Sequence, residues 1–490
     1  MLFNSLPFLI FFPVVVFLYF LIPKRAQYIW LLAASYFFYM SWNAKYALLL
    51  LFTTGITYIA GRIIEKKKGM LLAKAAVAGS LVLNLVILFL FKYFDFFLDN
   101  INRVLHILGI QVLSPAFDVV LPVGISFYTF QALGYTIDVY RGEVKAEKNF
   151  LKYALFISFF PQLVAGPIER SKNLLKQVNE KHSFQFERVR EGLLLMLWGY
   201  FLKIVIADRI AIIVDTVYGN YETFGGYYLI VATILFAFQI YGDFSGYSTI
   251  AIGAAKIMGF ELMENFDSPY LARSVTEFWR RWHISLSSWF RDYLYIPLGG
   301  NRKGTSRKYI NLFLVFLASG MWHGASWAYI FWGGINGIYQ IIGNWLKPFR
   351  ERINQLFRLN KELIGHKIFQ VVCTFCLIDF SWIFFRAGDL ETALNAIKSM
   401  ISVHNIWILF DGSLYQLGVD QKNFHVLLIA LGILLFADVM KYYHICIRKV
   451  IMKQELWCRW LCYITAVIAV LLFGVWGGTY DATGFIYFQF

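Results

Sequence analysis

Charge is scarce in this chain. Of its 490 residues only 15% are Asp, Glu, Lys or Arg, while 59% are hydrophobic and 19% aromatic. A soluble globular domain carries about 25% charged and about 45–50% apolar residues, so the composition excludes an ordinary soluble fold. Acids are scarcer than bases: 30 Asp and Glu stand against 45 Lys and Arg, a formal charge of +15. A nucleic-acid binder gathers such an excess on one face. Here it is split among separate short loops, the pattern of cytoplasmic loops in polytopic membrane proteins. Cysteine is rare as well, with five residues. Cys373 and Cys376 form a C-x-x-C inside an apolar run with no second pair. With Cys446, Cys458 and Cys462 they read as small buried hydrophobes rather than a metal or redox site. The N-terminus lacks the positive start and small-residue cleavage site of a secretory signal peptide, and is expected to be a retained first span that starts outside. No fixed-period repeat and no low-complexity linker divides the chain, which reads as one membrane domain over 1–476 with a short tail at 477–490.

Long apolar runs are what the chain has in abundance. Stretches near the 20 residues that cross a bilayer recur at 6–22, 26–43, 46–62, 72–92, 120–139, 150–166, 190–210, 226–245, 309–346, 366–386, 422–440 and 459–476. They are continuous, whereas a transmembrane β-barrel needs segments of about 10 residues alternating in polarity, so helices are predicted. Loop charges predict the orientation. Lys24 and Arg25, Arg62 with Lys66 to Lys68, and the basic residues of 347–367 and 441–459 are placed in the cytoplasm. The last span then leaves the cytoplasm, and the tail 477–490, whose one charged side chain is Asp481, lies outside with the N-terminus. Residues 387–400 are predicted as a short surface helix and 402–421 as an outside loop.

Within this apolar frame His323 stands out, in Ser319-Gly320-Met321-Trp322-His323-Gly324-Ala325-Ser326-Trp327. An imidazole at membrane depth is costly and marks a functional site by default. Basic residues flank 309–346 on both sides, so both ends are predicted to be cytoplasmic. Its 38 residues reach about 57 Å as a helix, while two full crossings need about 60 Å before any turn. A pair of short or re-entrant helices is therefore expected, bending near Gly320–Gly324, with His323 lining a cavity. Asp243, in Gln239-Ile240-Tyr241-Gly242-Asp243-Phe244-Ser245-Gly246, is a second acid at depth that should face the interior and find a partner. Two roles stay open for it: tying an unwound helix together, or serving a catalytic tunnel. Asp379 and Arg386 read as a pair or a span end.

Residues 269–308 are the densest chemistry. Eight positive residues (Arg273, Arg280, Arg281, Arg291, Arg302, Lys303, Arg307, Lys308) face two acids, Glu277 and Asp292. Trp279, Trp282, His283, Leu286, Trp289 and Phe290 recur at helical spacing and form one aromatic face. Arg280, Arg281, Ser287, Ser288 and Arg291 lie mostly opposite. An interfacial amphipathic helix explains that pattern. His283 on the aromatic side asks for a polar partner or a function, and Arg280, Arg281 and Arg291 are suited to the phosphates of an acyl donor. Gly299 to Ser306 has phosphate-loop glycine spacing, but Thr305 occupies the lysine position. A glycine turn between helices suffices.

Taken together, Leu121 to Tyr128, Phe160 to Pro167, the Asp243 segment, 276–300 and Met321-Trp322-His323-Gly324 resemble the membrane-bound O-acyltransferase family. The likeness is to its bacterial branch, which includes alginate O-acetylation and teichoic acid D-alanyl transfer proteins. The resemblance implies an all-α polytopic membrane protein, a ring of about 11–13 tilted and partly re-entrant helices around a central tunnel. It makes His323 the counterpart of the family's essential histidine and His283 that of its second. The chain's Phe485-Ile486-Tyr487-Phe488-Gln489-Phe490 resembles an F-x-Y-x-x-F terminus that in teichoic acid D-alanylation sits on a separate small membrane protein, where its tyrosine is proposed to carry the acyl group. An aromatic interfacial anchor is the other reading of these residues.

The chemistry so implied is acyl transfer to a hydroxyl. A cytoplasmic thioester, acetyl-CoA, is the expected donor. His323 would be the base, because histidine titrates near neutral pH. His283 would orient the donor or stabilise the developing oxyanion. Tyr487 would receive the acyl group and pass it to an extracytoplasmic transferase that esterifies a cell-envelope polysaccharide. Expected partners are membrane lipid, the acyl-CoA and that transferase; no nucleic acid, metal or redox cofactor is implied. Two other classes compete: a transporter that exports polysaccharide or flips lipid, with the buried ionisable groups as relays, and a membrane scaffold for an envelope assembly complex.

Overall fold

The computed structural model describes residues 1–110, 121–164, 166–360 and 362–476. These are helical almost throughout, with no strand among the described residues. Each apolar run falls on a helix or an interrupted pair of helices. Six are long and apolar enough to cross a membrane: Tyr46–Lys66, Leu71–Ile107, Tyr227–Met258, Ile364–Ala387, Gln421–Tyr442 and Leu456–Phe473. The chain is thus an all-α polytopic membrane protein. In a bilayer every backbone polar group must be satisfied within its own segment, which a helix alone achieves without a partner strand.

Polar residues decide which runs become core. Ile125–Arg141 carries Ser126, Thr129, Gln131, Thr136 and Asp138, all buried. Gln131 Nε2 donates to the Phe156 carbonyl at 2.7 Å, and Ser171 Oγ donates to Asp138 Oδ2 at 2.7 Å. Buried polar groups need such partners, so this helix packs inside protein rather than against lipid. By contrast Leu456–Phe473 turns almost all of its surface outward.

The chain divides into two compact units. The first comprises Met1–Met196 with Ser248–Met263. In it two of the segments that carry the family resemblance pack together: Gly124, at φ +75°, lies against the Leu163 carbonyl, where a side chain would not fit. Phe159 interrupts the expected 150–166 span, leaving Phe150–Ser158 and Phe160–Leu163. The exposed Phe160 amide of that break is taken up by Ser35 Oγ at 3.1 Å.

The second unit comprises Leu197–Tyr247 and the chain from Glu264 onward. It contains a π-helical turn, Phe201–Ala207, and the paired helices Thr305–His323 and Trp327–Trp345. This pair is the expected bend: two helices of 19 residues each, about 28 Å long, folded back at Gly324–Ser326. Gly320 meets the Tyr329 carbonyl and Gly333 the Phe316 carbonyl, so the two backbones touch. Neither helix is among the six long apolar ones. Gly299, Gly300 and Gly304 have positive φ and make the turn before them, with the Asn311 amide donating to the Leu298 and Gly300 carbonyls. A phosphate loop gathers N–H groups; this turn gathers carbonyls.

Other expectations are met or corrected here. Leu390–Ser402 is the surface helix, capped by Asp389, which accepts from Thr392 N–H at 2.8 Å. Arg386 does stand at a span end, yet it pairs with Asp215 at 2.6 Å, not with Asp379. Cys373 and Cys376 are free and exposed rather than buried. They lie on the outward side of an apolar span, where a thiol is as acceptable as any small hydrophobe.

Candidate active site

The site is built from residues of the second unit. The segment 275–290 is not one helix. Val275–Arg281 and Ile284–Phe290 are separate, joined through Trp282 in an extended conformation and His283 at φ +44°. A non-glycine residue at positive φ is costly and persists only where neighbours hold it. Asn265 does so. Its carbonyl accepts Ile284 N–H at 2.9 Å, and its Oδ1 accepts Ser285 N–H at 3.2 Å and Ser285 O–H at 2.9 Å. The same Oδ1 lies 3.1 Å from His283 Nδ1.

That geometry fixes the histidine tautomer. The backbone N–H of Ser285 donates to this Asn265 atom, so the atom is the carbonyl oxygen. His283 Nδ1 must then carry the proton, which makes Nε2 the accepting nitrogen. The ring is 1% exposed, and burial pushes its pKa down to about 3, so His283 is neutral at physiological pH.

Despite the break, the aromatic face persists. Trp279, Trp282, His283, Leu286, Trp289 and Phe290 are all buried, while Arg280 and Arg291 are exposed. The left-handed residue restarts the second helix in a register that keeps the same side inward.

His323 is the last residue of its helix and is 3% exposed. Its ring stands edge-on to Trp322, Trp332 and Phe385, with centroids 5.0, 5.1 and 5.3 Å away. The His283 and His323 centroids are 6.4 Å apart. Around the His283 ring, the Phe244 centroid lies 4.6 Å away and the Trp322 centroid 5.8 Å away. Two imidazoles forty residues apart in sequence thus share one aromatic cage. The cage keeps bulk water away, which strengthens any electrostatic interaction made inside it.

Asp243 sits one residue before Phe244. Lys203 places its ammonium 2.5 Å from Asp243 Oδ1 and 2.8 Å from Asp208 Oδ1, all three side chains being at most 3% exposed. Lys203 lies on the π-helical turn, whereas Asp243 lies on the unbroken helix Tyr227–Met258. The irregular element is therefore the partner of the Asp243 helix. Asp243 is joined to it through Lys203, the interior partner expected of an acid at this depth.

The three arginines part company. Arg281 Nε donates to Glu277 at 3.0 Å, its Nη1 donates to Asp267 at 3.1 Å, and its guanidinium lies over Tyr442. Arg291 is paired with neighbouring Asp292 at 2.8 Å. Arg280 is exposed, with no ion pair among the described residues. Tyr487 lies outside the described residues. The chain leading to it is anchored: Val475 N–H donates to the Ile204 carbonyl at 2.9 Å, and Arg209 Nη2 donates to the Phe473 carbonyl at 2.8 Å. Ile204 adjoins Lys203 on the π-helical turn, whose altered bonding frees carbonyls for outside donors.

Sequence reasoning missed Asn265, Lys203 and Asp208. Lys203 and Asp208 were legible as opposite charges inside the apolar run 190–210. Asn265 carried no signal, because its role depends on meeting a segment 18 residues later.

The membrane-bound O-acyltransferase family model matches residues 143–385, which include both histidines. The chain is 38% identical over 449 residues to the probable alginate O-acetylase AlgI of Pseudomonas aeruginosa, covering 91% of this chain and 82% of that one. It is 35% identical over 412 residues to a peptidoglycan O-acetyltransferase of Helicobacter pylori, covering 79% and 75%. Similarity to a teichoic acid D-alanyltransferase of Bacillus subtilis is 27% identity over 329 residues, covering 63% and 76%.

Proposed function

Because the chain belongs to the membrane-bound O-acyltransferase family and is an O-acyltransferase, we propose that it takes an acetyl group from acetyl-CoA on the cytoplasmic side and delivers it for O-acetylation of a cell-envelope polysaccharide. The relatives named for O-acetylation match 79% to 91% of this chain, whereas the teichoic acid D-alanyltransferases match 63% and 47% of it. That ordering favours acetyl over an aminoacyl group. The bacterial cytoplasmic membrane is the place where such a donor and such an acceptor face opposite sides.

The observation that carries the reading is the meeting of His283 and His323 in one buried cage. In the proposed reaction a hydroxyl oxygen attacks the thioester carbonyl carbon. His323 takes the hydroxyl proton, the C–S bond breaks, and the proton passes to the departing thiolate. His283, neutral and held by Asn265, turns Nε2 into the site as an acceptor. It is suited to orienting a donor N–H or an attacking hydroxyl, and not to donating to an oxyanion. Arg280 is the arginine placed to meet donor phosphates, since Arg281 and Arg291 already hold acids.

The first acceptor in this reading is Tyr487, whose acetyl ester is then attacked by a polysaccharide hydroxyl on a partner transferase, restoring the phenol. The anchored stretch 473–475 supports it, because the tail departs beside the π-helical turn that bonds Asp243. Tyr487 follows Val475 by twelve positions, and twelve residues of chain span at most about 40 Å.

Purified protein incubated with radiolabelled acetyl-CoA tests the reading. An enzyme acquires or transfers label, and a transporter or scaffold does not. His323→Ala should abolish transfer while the protein is inserted at normal level. Full polymer acetylation in that strain would overturn the assignment.

A further inference from the structure

The turn between the first two apolar helices, Leu6–Leu21 and Gln27–Met40, opens on a cavity of about 280 Å³ within the first unit. Four cations line it, Lys24, Arg25, Lys152 and Lys181, against a single acid, Glu180. Lys152 is held in place: its ammonium donates to Asn179 Oδ1 at 2.8 Å and lies 5.5 Å over the Tyr28 ring. Lys24, Arg25 and Lys181 make no ion pair among the described residues. The floor is polar and fixed, with buried Gln27 donating to the Tyr19 carbonyl at 3.0 Å. His182 closes one wall: it is bonded through Nε2 to the Gln177 carbonyl and packs at a tilt against Phe260, with centroids 4.4 Å apart.

We propose that this cavity binds a phosphate group, supplied by an anionic phospholipid headgroup or by a small phosphate in solution. Three cations without partners around one concavity repel each other until an anion arrives, and ammonium and guanidinium groups suit phosphate oxygens. The volume lies just below the roughly 300 Å³ where drug-sized pockets begin, so it admits a headgroup and excludes a whole nucleotide cofactor. Its position favours the lipid. Helix ends are where a chain leaves the hydrocarbon at headgroup level, and Leu21, Ile29 and Phe184 around the turn are exposed as acyl chains require. Nothing in this inference rests on the acyl-transfer reading.

The test uses the full-length protein and the variant Lys152→Gln/Lys181→Glu. It leaves Lys24 and Arg25 in place, so the charges that orient the first two helices are kept. In one arm, labelled phosphatidylglycerol is added as a trace to phosphatidylcholine nanodiscs and its retention measured. In the other, pyrophosphate binding is measured in detergent by equilibrium dialysis. The wild type should retain one probe, and the variant should lose it about tenfold or more. Loss confined to phosphatidylglycerol assigns a lipid site, and loss confined to pyrophosphate a solution-phosphate site. No binding of either probe, or equal binding by wild type and variant, overturns the proposal. Should the double variant fail to fold, Lys181→Glu alone, at an exposed position, gives the same comparison.

Discussion

His283 and His323 are the same side chain in different surroundings, and the difference assigns their work. His323 ends a helix, with its ring edge-on to three aromatic side chains. His283 is pinned in a left-handed conformation with its proton on the Asn265 side. A displacement of about 1 Å in a positioned group can cost about a hundredfold in rate. Asn265→Ala is therefore expected to lower kcat by about ten- to a hundredfold while KM for the donor stays near wild type, in steady-state assays of the purified enzyme. Asn265→Asp retains an accepting oxygen and should recover part of the loss. Equal damage by both variants would mean that Asn265 only stabilises the fold.

At the scale of elements, the hairpin Thr305–His323 and Trp327–Trp345 places the His323 ring. Glycine spacing lets the two backbones touch, and this sets how far His323 reaches into the cage. In Gly320→Ala the new methyl group would meet the Tyr329 carbonyl, a backbone atom that cannot swing aside. Forcing volume into a packed contact costs about 1–3 kcal/mol. Gly343, on the same hairpin, has nothing near it, and there alanine should be neutral or stabilising by up to about 1 kcal/mol. Thermal unfolding in detergent should thus show Gly320→Ala melting below wild type and Gly343→Ala at or above it. Similar shifts for the two would remove the packing argument.

For the whole molecule, the proposed route of the acyl group runs from a donor on one side to an acceptor on the other. The C-terminal tail is the proposed carrier. Unaided, a phenol with a pKa near 10 is a poor nucleophile, so Tyr487 needs the base at His323. Phe485, Phe488 and Phe490 can supply the apolar contacts that hold the tail. Tyr487→Phe removes one hydroxyl and almost no packing surface. It is expected to eliminate polymer acetylation in vivo, scored by ester content of the isolated envelope polymer, with the protein present at wild-type level. Near-normal acetylation would make the tail an aromatic anchor and leave a polysaccharide or partner hydroxyl as the direct acceptor.

The sequence by itself determined the environment, the secondary structure and the pair of histidines. Apolar runs near 20 residues can satisfy their backbone only as helices in lipid, and an ionisable residue inside them needs a reason to be there. The hairpin too was expected from a run too short for two crossings, with its turn at Gly324–Ser326, just past the Gly320–Gly324 stretch expected to bend. Tertiary structure alone decided how those residues are held. The amphipathic pattern of 275–290 concealed a break at His283, because the energy that supports a positive φ comes from Asn265, outside the helix it caps. Arg281 and Arg291 looked like free phosphate ligands until Asp267, Glu277 and Asp292 came within reach. Asp243 meets its partner Lys203 on a π-helical turn, a backbone irregularity with no compositional mark. For His283 and Asp243 the partner is distant in sequence, and linear spacing carries no record of it.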